Sequence, residues 1–227
     1  MVTLHVGSEI PGLALALVEM SGVQVGPSPE ELRQQCDEAV VQITEHGWPN
    51  AEVRKKEIRN LLRTGGYKPS GRNKPAQEYL LRSATHHGSL PDINNAVDLL
   101  NLISLQSGIP ISLVALNRIG TSLTLRFGEP GESYIFNAGG QELDVKGLIC
   151  LCKEEDGKTI PVGSPVKDSM EAKLLESDSH IMACFYASQS AISHDELHRW
   201  ALQLGKGAVH SCGADSFELS MLPETGW

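Results

Sequence analysis

The segment LPDINNAVDLLNLISLQSGIP, residues 90–110, predicts one helix that starts after Pro91 and ends before Gly108. Pro and Gly at these points are typical helix boundaries, and Asp92 is predicted to cap the first turn. Apolar or small residues recur at helical spacing between these limits. They are Ile93, Ala96, Val97, Leu100, Ile103 and Ser107. One face of this helix is therefore expected to pack in the core.

The opposite face of the predicted helix is polar. Asn94, Asp98 and Asn101 follow at i, i+4 and i+7, and at about 100° per residue they fall within roughly 60° of one another. Lys, Arg and Glu are absent from residues 92–107, although long charged side chains normally fill a helix face exposed to solvent. Two interpretations remain: the three side chains cap and hydrogen-bond neighbouring loops, or they line a polar cavity that holds a small ligand.

Length and composition indicate a globular protein. At 227 residues the chain can bury a large core, and since no linker divides it we expect a single domain over residues 1–227. Helical patterns dominate about residues 1–108, and strand patterns dominate about residues 109–227. Five cysteines without disulfide-scaffold spacing favour reduced thiols in the cytoplasm. The longest apolar run, around residues 11–20, is too short to span a membrane, so no membrane association is expected.

The last third of the chain predicts a helix followed by strands. Residues 193–204 form an amphipathic pattern that ends near Gly205, and residues 209–222 predict a final pair of strands. His194 and His198 have the i, i+4 spacing of metal ligands, but no third ligand follows at a recognisable distance. Dinucleotide, Walker and nucleophile-elbow motifs are absent from the sequence. We therefore expect neither a metal site nor a cofactor.

Charge is unevenly distributed along the chain. The formal net charge of −9 argues against a protein that wraps nucleic acid broadly, because such binding needs many basic contacts. Residues 51–82 are the exception, with nine Lys or Arg and three Glu. A local basic surface on an acidic protein is compatible with contact to a phosphate end. Arg72, Lys74 and Arg82 are the candidate nucleic-acid contacts in this segment.

Three motifs carry a family resemblance. RNKPAQE, residues 72–78, is followed by Arg82, then by the helix motif of residues 90–111, and then by LTLRFG, residues 123–128. The sequence from Gly71 to Phe127 thereby resembles the B3/B4 domain of the bacterial phenylalanyl-tRNA synthetase β subunit, and more closely the free-standing B3/B4 domain proteins. The resemblance implies an α+β fold in three layers, with a β-sandwich of unusual topology flanked by helices.

The resemblance also implies a substrate pocket. In that synthetase the domain is an editing module, which receives the 3′ end of a mischarged tRNA and hydrolyses the aminoacyl ester. By resemblance, the pocket asparagine of the family falls at Asn101, and the glycine of a later turn falls at Gly139 or Gly140. The family's pocket threonine is Leu100 here, and its pocket histidine is Ser112. The pocket is thus expected to keep its asparagine and to lack its histidine.

The missing histidine bears on mechanism. Ester hydrolysis needs a positioned water, a proton acceptor and donors to the developing oxyanion. Ser112 cannot act as a base, so the water would be held by Asn94, Asp98 and Asn101. Arg126 could contact the oxyanion or a carboxylate, or it could form an ion pair on its strand face. No residue is assigned as catalytic from the sequence.

Three functions are compatible with these patterns. The first is a free-standing aminoacyl-tRNA deacylase that binds the aminoacylated 3′ end of a tRNA and edits in trans. The second is a non-catalytic pocket protein that binds a free amino acid or a similar small metabolite. The third is an interaction domain with a vestigial pocket, whose acidic surface meets a protein partner. No sequence feature specifies an oligomeric state.

Overall fold

The computed structural model of the protein describes residues 2–48 and 50–227. Its strands in this range are β1 (Thr3–Val6), β2 (Leu13–Ser21), β3 (Ile111–Ala115), β4 (Ser122–Phe127), β5 (Ser133–Ile135), β6 (Glu142–Asp144), β7 (Ile149–Glu155), β8 (Lys158–Gly163), β9 (His180–Ser188) and β10 (Ser216–Leu222). Its α-helices are α1 (Glu30–His46), α2 (Ala51–Arg63), α3 (Ala76–His87), α4 (Asn95–Ser107), α5 (Leu116–Ile119) and α6 (His194–Cys212). No helix among these residues is long and apolar enough to cross a membrane.

Two four-stranded sheets form the centre of the molecule. The first has the order β1-β4-β7-β8, with β1 parallel to β4, and the second has the antiparallel order β10-β2-β9-β3. Side chains from both sheets share one apolar cluster, including Leu125 from the first sheet and Tyr186 from the second. Helices α1, α4 and α6 cover the outer face of the second sheet, and α2 with the β5–β6 ribbon covers that of the first. This layering confirms the predicted α+β class and its sheets flanked by helices.

The predicted α-rich and β-rich parts interleave in space. Strand β1 pairs with β4, and β2 lies between β10 and β9, so the first two strands complete sheets built from the second half of the chain. Ala14, Ala16 and Val18 of β2 pack among the helices, whereas Leu15 and Leu17 pack in the cluster shared by the two sheets. A strand covered on both faces is expected to be almost continuously apolar, as β2 is.

Helix α4 is the predicted central helix, but it begins later than expected. Asn94 is its cap, since the Asn94 side chain accepts a hydrogen bond from the backbone N–H of Val97 at 3.0 Å. Asp92 lies outside the helix, with its carboxylate 3.6 Å from the Arg33 guanidinium, so its prediction as the cap is wrong. Nearly every residue of α4 is buried between the second sheet, α1 and α6. This burial explains why the segment lacks long charged side chains.

Helix α6 is longer than predicted and replaces the first of the two expected final strands. A Cβ atom on Gly205 would lie 2.4 Å from the Phe217 side chain, and one on Gly207 would lie 2.7 Å from Leu99. These glycines therefore permit close packing inside the helix rather than ending it. The helix continues to Cys212, and β10 is the one strand that follows in the described part of the chain.

Candidate functional site

A cavity of about 280 Å³ lies between α3, α4, β3 and the loop that follows β8. Its apolar lining consists of Ala76, Leu80, Ile93, Val97, Leu100, Ile111, Leu113 and Leu174. Its polar lining consists of Asn94, Asn101, Ser104, Ser164, Lys167, Asp168 and Lys173. Ligand pockets usually measure about 300–1,000 Å³, so this cavity suits a small ligand with an apolar part and a polar part.

Helix α4 supplies two members of its polar stripe to the cavity. Asn94 and Asn101 lie two turns apart and differ by only about 20° around the helix axis, and both line the cavity. Asp98 is rotated by about 40° from Asn94, and its carboxylate accepts hydrogen bonds from the Ser28 hydroxyl at 2.6 Å and the Arg33 guanidinium at 3.2 Å. Asp98 also accepts a hydrogen bond from the backbone N–H that precedes Asn94. Asn94 and Asn101 therefore form part of the cavity wall, whereas Asp98 connects α4 to α1.

Ser112, where the resemblance places the family's pocket histidine, lies behind the cavity. Its side chain is fully buried on β3, and its hydroxyl donates a hydrogen bond to Asp168 Oδ1 at 2.6 Å. The carboxylate of Asp168 also accepts hydrogen bonds from the backbone N–H groups of Leu113, at 3.0 Å, and Ser164, at 3.3 Å. Asp168 itself lines the cavity. Ser112 thus contacts the cavity through the carboxylate that it orients.

The Asp168 carboxyl has a raised pKa. Burial raises its pKa from 3.8 to about 6, against the hydrogen bonds from Ser112, Leu113 and Ser164 and the nearby Lys173 charge, which all lower it. Sequence reasoning did not select this residue, because a single Asp in a loop has no local motif. Only the tertiary contact between the β8–β9 loop and β3 brings Asp168 to Ser112.

Two lysines share the polar end of the cavity with Asp168. The Lys167 ammonium lies 3.9 Å from the Phe136 ring centroid and 5.8 Å from that of Tyr79. Burial lowers the pKa of Lys167, and the charges of Arg72 and Lys173 lower it further. Lys173 donates a hydrogen bond to the Phe136 carbonyl at 2.6 Å. The cavity therefore contains one acidic group and two basic groups in close proximity.

Arg126, Gly139 and Gly140 lie outside the lining of this cavity. Arg126 belongs to β4 in the other sheet, where its guanidinium forms hydrogen bonds of 2.7 and 2.8 Å with Glu132 and a further one with the Thr159 hydroxyl. It forms the strand-face ion pair, which was one of its two predicted roles. Gly139 and Gly140 form the turn between β5 and β6, with Gly140 at a φ of 72°. Their expected place in the pocket is not supported by this geometry.

The predicted nucleic-acid contacts lie beside the cavity. Lys74 and Arg82 line a groove of about 390 Å³, together with Lys55, Tyr79 and His86. This groove borders α3, whose Ala76 and Leu80 line the cavity. The Arg72 carbonyl accepts a hydrogen bond at 3.4 Å from the ammonium of Lys167, a cavity residue. The basic loop that precedes α3 is therefore continuous with the cavity.

His194 and His198 lie on α6, where His194 Nδ1 is 3.7 Å from the Asp195 carboxylate. The His194 ring packs edge-on against Trp227, with ring centroids 5.2 Å apart. Within residues 2–48 and 50–227, no group of three or more His, Cys, Asp or Glu side chains is arranged to hold a metal ion. All five cysteines are free and buried.

Comparison with protein families identifies the family of the chain. The B3/4 domain model matches residues 67–197, which is more than half of the chain. The chain belongs to the B3/4 domain family. Every residue that lines the cavity lies inside the matched range of this B3/4 domain. A search of curated proteins found no match.

Proposed function

We propose that this B3/4 domain protein binds the aminoacylated 3′ end of a tRNA and hydrolyses the aminoacyl ester in trans. One observation carries the proposal: a single cavity combines an apolar wall, the amides of Asn94 and Asn101 and the Asp168 carboxylate, and it adjoins the basic loop containing Arg72. Family membership supports the same conclusion, because the domain edits mischarged tRNA in the synthetase that the sequence resembles.

The cavity has the groups that an aminoacyl ester requires. Its apolar wall on α4 and β3 would contain an uncharged amino-acid side chain. The amides of Asn94 and Asn101 would donate and accept hydrogen bonds at the ester and the terminal ribose. The cavity volume of about 280 Å³ would admit an amino acid but little more of the tRNA. The terminal nucleotides would therefore remain outside the cavity.

The basic groove would contact those nucleotides. Lys74 and Arg82 line it, and they belong to the segment of residues 51–82, which has nine Lys or Arg and three Glu. Contacts of this kind hold a phosphate backbone without reading its sequence. The overall charge of −9 would limit binding to this local surface.

A free amino acid is the second candidate ligand. Asp168 and Lys173 both line the cavity, and this pair of opposite charges would suit the α-ammonium and α-carboxylate groups of a zwitterion. An aminoacyl ester lacks the free carboxylate. Lys173 would therefore pair with the carboxylate of a free amino acid, but it would have no such partner in an aminoacyl ester.

The test is amino-acid release from a panel of correctly charged and mischarged tRNAs. Asn101→Ala should lower kcat/KM by about fivefold or more, since a lost hydrogen bond corresponds to about 1 kcal/mol. Lys206→Ala, a change of an exposed residue on α6 outside the cavity lining, is the control. In parallel, a free amino acid at 100 times its dissociation constant should add about 2.7 kcal/mol to the free energy of unfolding. Such a stabilisation with no release from any tRNA would favour the second candidate.

A further inference from the structure

We propose that Asp168 is the catalytic general base of this cavity and takes a proton from the water that attacks the ester carbonyl. The inference rests on the proposed function and adds the group that the replacement of the family's histidine by Ser112 had removed. Asp168 is the one carboxylate among the described residues that line the cavity.

The geometry holds the carboxylate in a fixed orientation. Asp168 Oδ1 accepts hydrogen bonds from the Ser112 hydroxyl at 2.6 Å and the Ser164 N–H at 3.3 Å. Oδ2 accepts one from the Leu113 N–H at 3.0 Å. A carboxylate oxygen can accept about two hydrogen bonds, so Oδ2 retains capacity for a water molecule. Ser112 and two backbone groups thus act as the orienting partners that a catalytic base requires.

The titratable groups around Asp168 come from its own loop and from the strands packed against it. Lys167 and Lys173, from the same loop, also line the cavity. From the packed strands, Tyr134 of β5 and Cys184 and Tyr186 of β9 face the carboxylate, and burial raises the pKa of each above its ordinary value. These three groups remain neutral between pH 5 and 8. The α4 residues in the lining are uncharged.

The reaction is balanced without another reactant. The water oxygen bonds to the carbonyl carbon while its proton passes to Asp168. When the tetrahedral intermediate collapses, the carbon–oxygen bond to the ribose breaks, and Asp168 returns the proton to the leaving ribose oxygen. The products are the free amino acid and the uncharged tRNA. A base whose pKa is near the working pH is effective in both transfers, and that of Asp168 is about 6.

The test is the pH dependence of deacylation by the full chain. Wild-type kcat/KM should fall as the pH is lowered through about 6, which forms the acid limb of the profile, because protonation of Asp168 in the free enzyme removes the base. Asp168→Asn should lower kcat by about 10²- to 10⁴-fold, with a small change in KM, and should abolish this acid limb. Asp156→Asn, the same change in the exposed β7–β8 turn, is the matched control and should behave as the wild type. Thermal melting of each variant verifies its folding.

Ser112→Ala separates catalysis from a structural role. The Ser112 hydrogen bond lowers the pKa of Asp168, so its removal should move the acid limb to higher pH. A purely structural contribution would lower the rate without moving the limb. This variant also keeps the carboxylate. If Asp168→Asn fails to fold, the position of the acid limb in Ser112→Ala therefore tests whether Asp168 is the base.

The outcomes distinguish this inference from the proposed function. If Asp168→Asn retains both the rate and the acid limb, Asp168 is not the base, while the deacylase function stands. The same conclusion follows if the limb keeps its position in Ser112→Ala. If the wild-type protein releases no amino acid from any aminoacyl-tRNA, both the function and the inference are overturned. Loss of the limb in Asp168→Asn together with its shift in Ser112→Ala supports the inference.

Discussion

Replacing Asp168 by Asn should change how stability depends on pH, whatever the protein's activity. The pKa of Asp168 is about 6 in the folded protein, against an ordinary value of 3.8. The folded state therefore binds this proton more tightly than the unfolded chain. This contribution to stability is complete below pH 3.8 and is lost as the pH rises to about 6.

The size of the effect follows from the two pKa values. The interval between 3.8 and about 6, at about 1.36 kcal/mol per pH unit, corresponds to about 3 kcal/mol. Asn does not titrate. The difference in the free energy of unfolding, wild type minus Asp168→Asn, should therefore fall by about 2 to 3 kcal/mol between pH 4 and pH 7.5. The altered hydrogen bonds of Asn add an offset that is the same at every pH, so they do not affect this change.

Urea unfolding at several pH values measures this quantity. Each titration gives a free energy of unfolding by linear extrapolation, and the two proteins are compared at matched pH. Asp156→Asn, in an exposed turn, should differ from the wild type by a nearly constant amount. A difference for Asp168→Asn that also stays constant within about 0.5 kcal/mol would refute the reasoning, because Asp168 would then titrate as an ordinary exposed carboxylate.

Three further predictions concern packing, folding and the basic groove. Gly205→Ala should lower the free energy of unfolding by about 1 to 3 kcal/mol in urea titrations, because the new methyl group overlaps the Phe217 ring. A fragment of residues 67–197 should lack cooperative thermal unfolding, because it omits β2, which lies between β9 and β10. Arg82→Ala should weaken tRNA binding and reduce the slope of log affinity against log salt by about 1, whereas Lys206→Ala should leave both unchanged; equal effects would exclude the groove.

Helix α4 shows what periodicity predicts and what it leaves open. The spacing of its apolar residues located the helix, and its lack of long charged side chains reflects its burial on nearly all sides. The division of its polar stripe was not predictable, because an angle of about 40° decides whether Asp98 faces α1 or the cavity. Periodicity defines a face but does not identify the element that packs against it.

The glycines of α6 show a different limit. Gly205 has the pattern of a helix end, since glycine is common after the last turn. In the structure it lies within the helix, where Phe217 of β10 approaches too closely for any side chain. The sequence around Gly205 contains no sign of this contact, because its partner lies in a strand that the pattern did not align with the helix. Close approach and chain termination both select glycine, and only tertiary contacts distinguish them.

The pair formed by Ser112 and Asp168 would supply a proton acceptor at the position where the family resemblance implies a lost histidine. Ser112 has no titratable group in the relevant range, yet its hydroxyl lies 2.6 Å from a carboxylate whose pKa is about 6, which is close to the ordinary value of histidine, about 6.5. Keeping this carboxylate ionised at neutral pH opposes folding by up to about 3 kcal/mol. An apolar residue of similar size would avoid that cost but would leave the N–H groups of Leu113 and Ser164 without the acceptor that Asp168 provides, so the carboxylate also serves the packing of its own loop against β3.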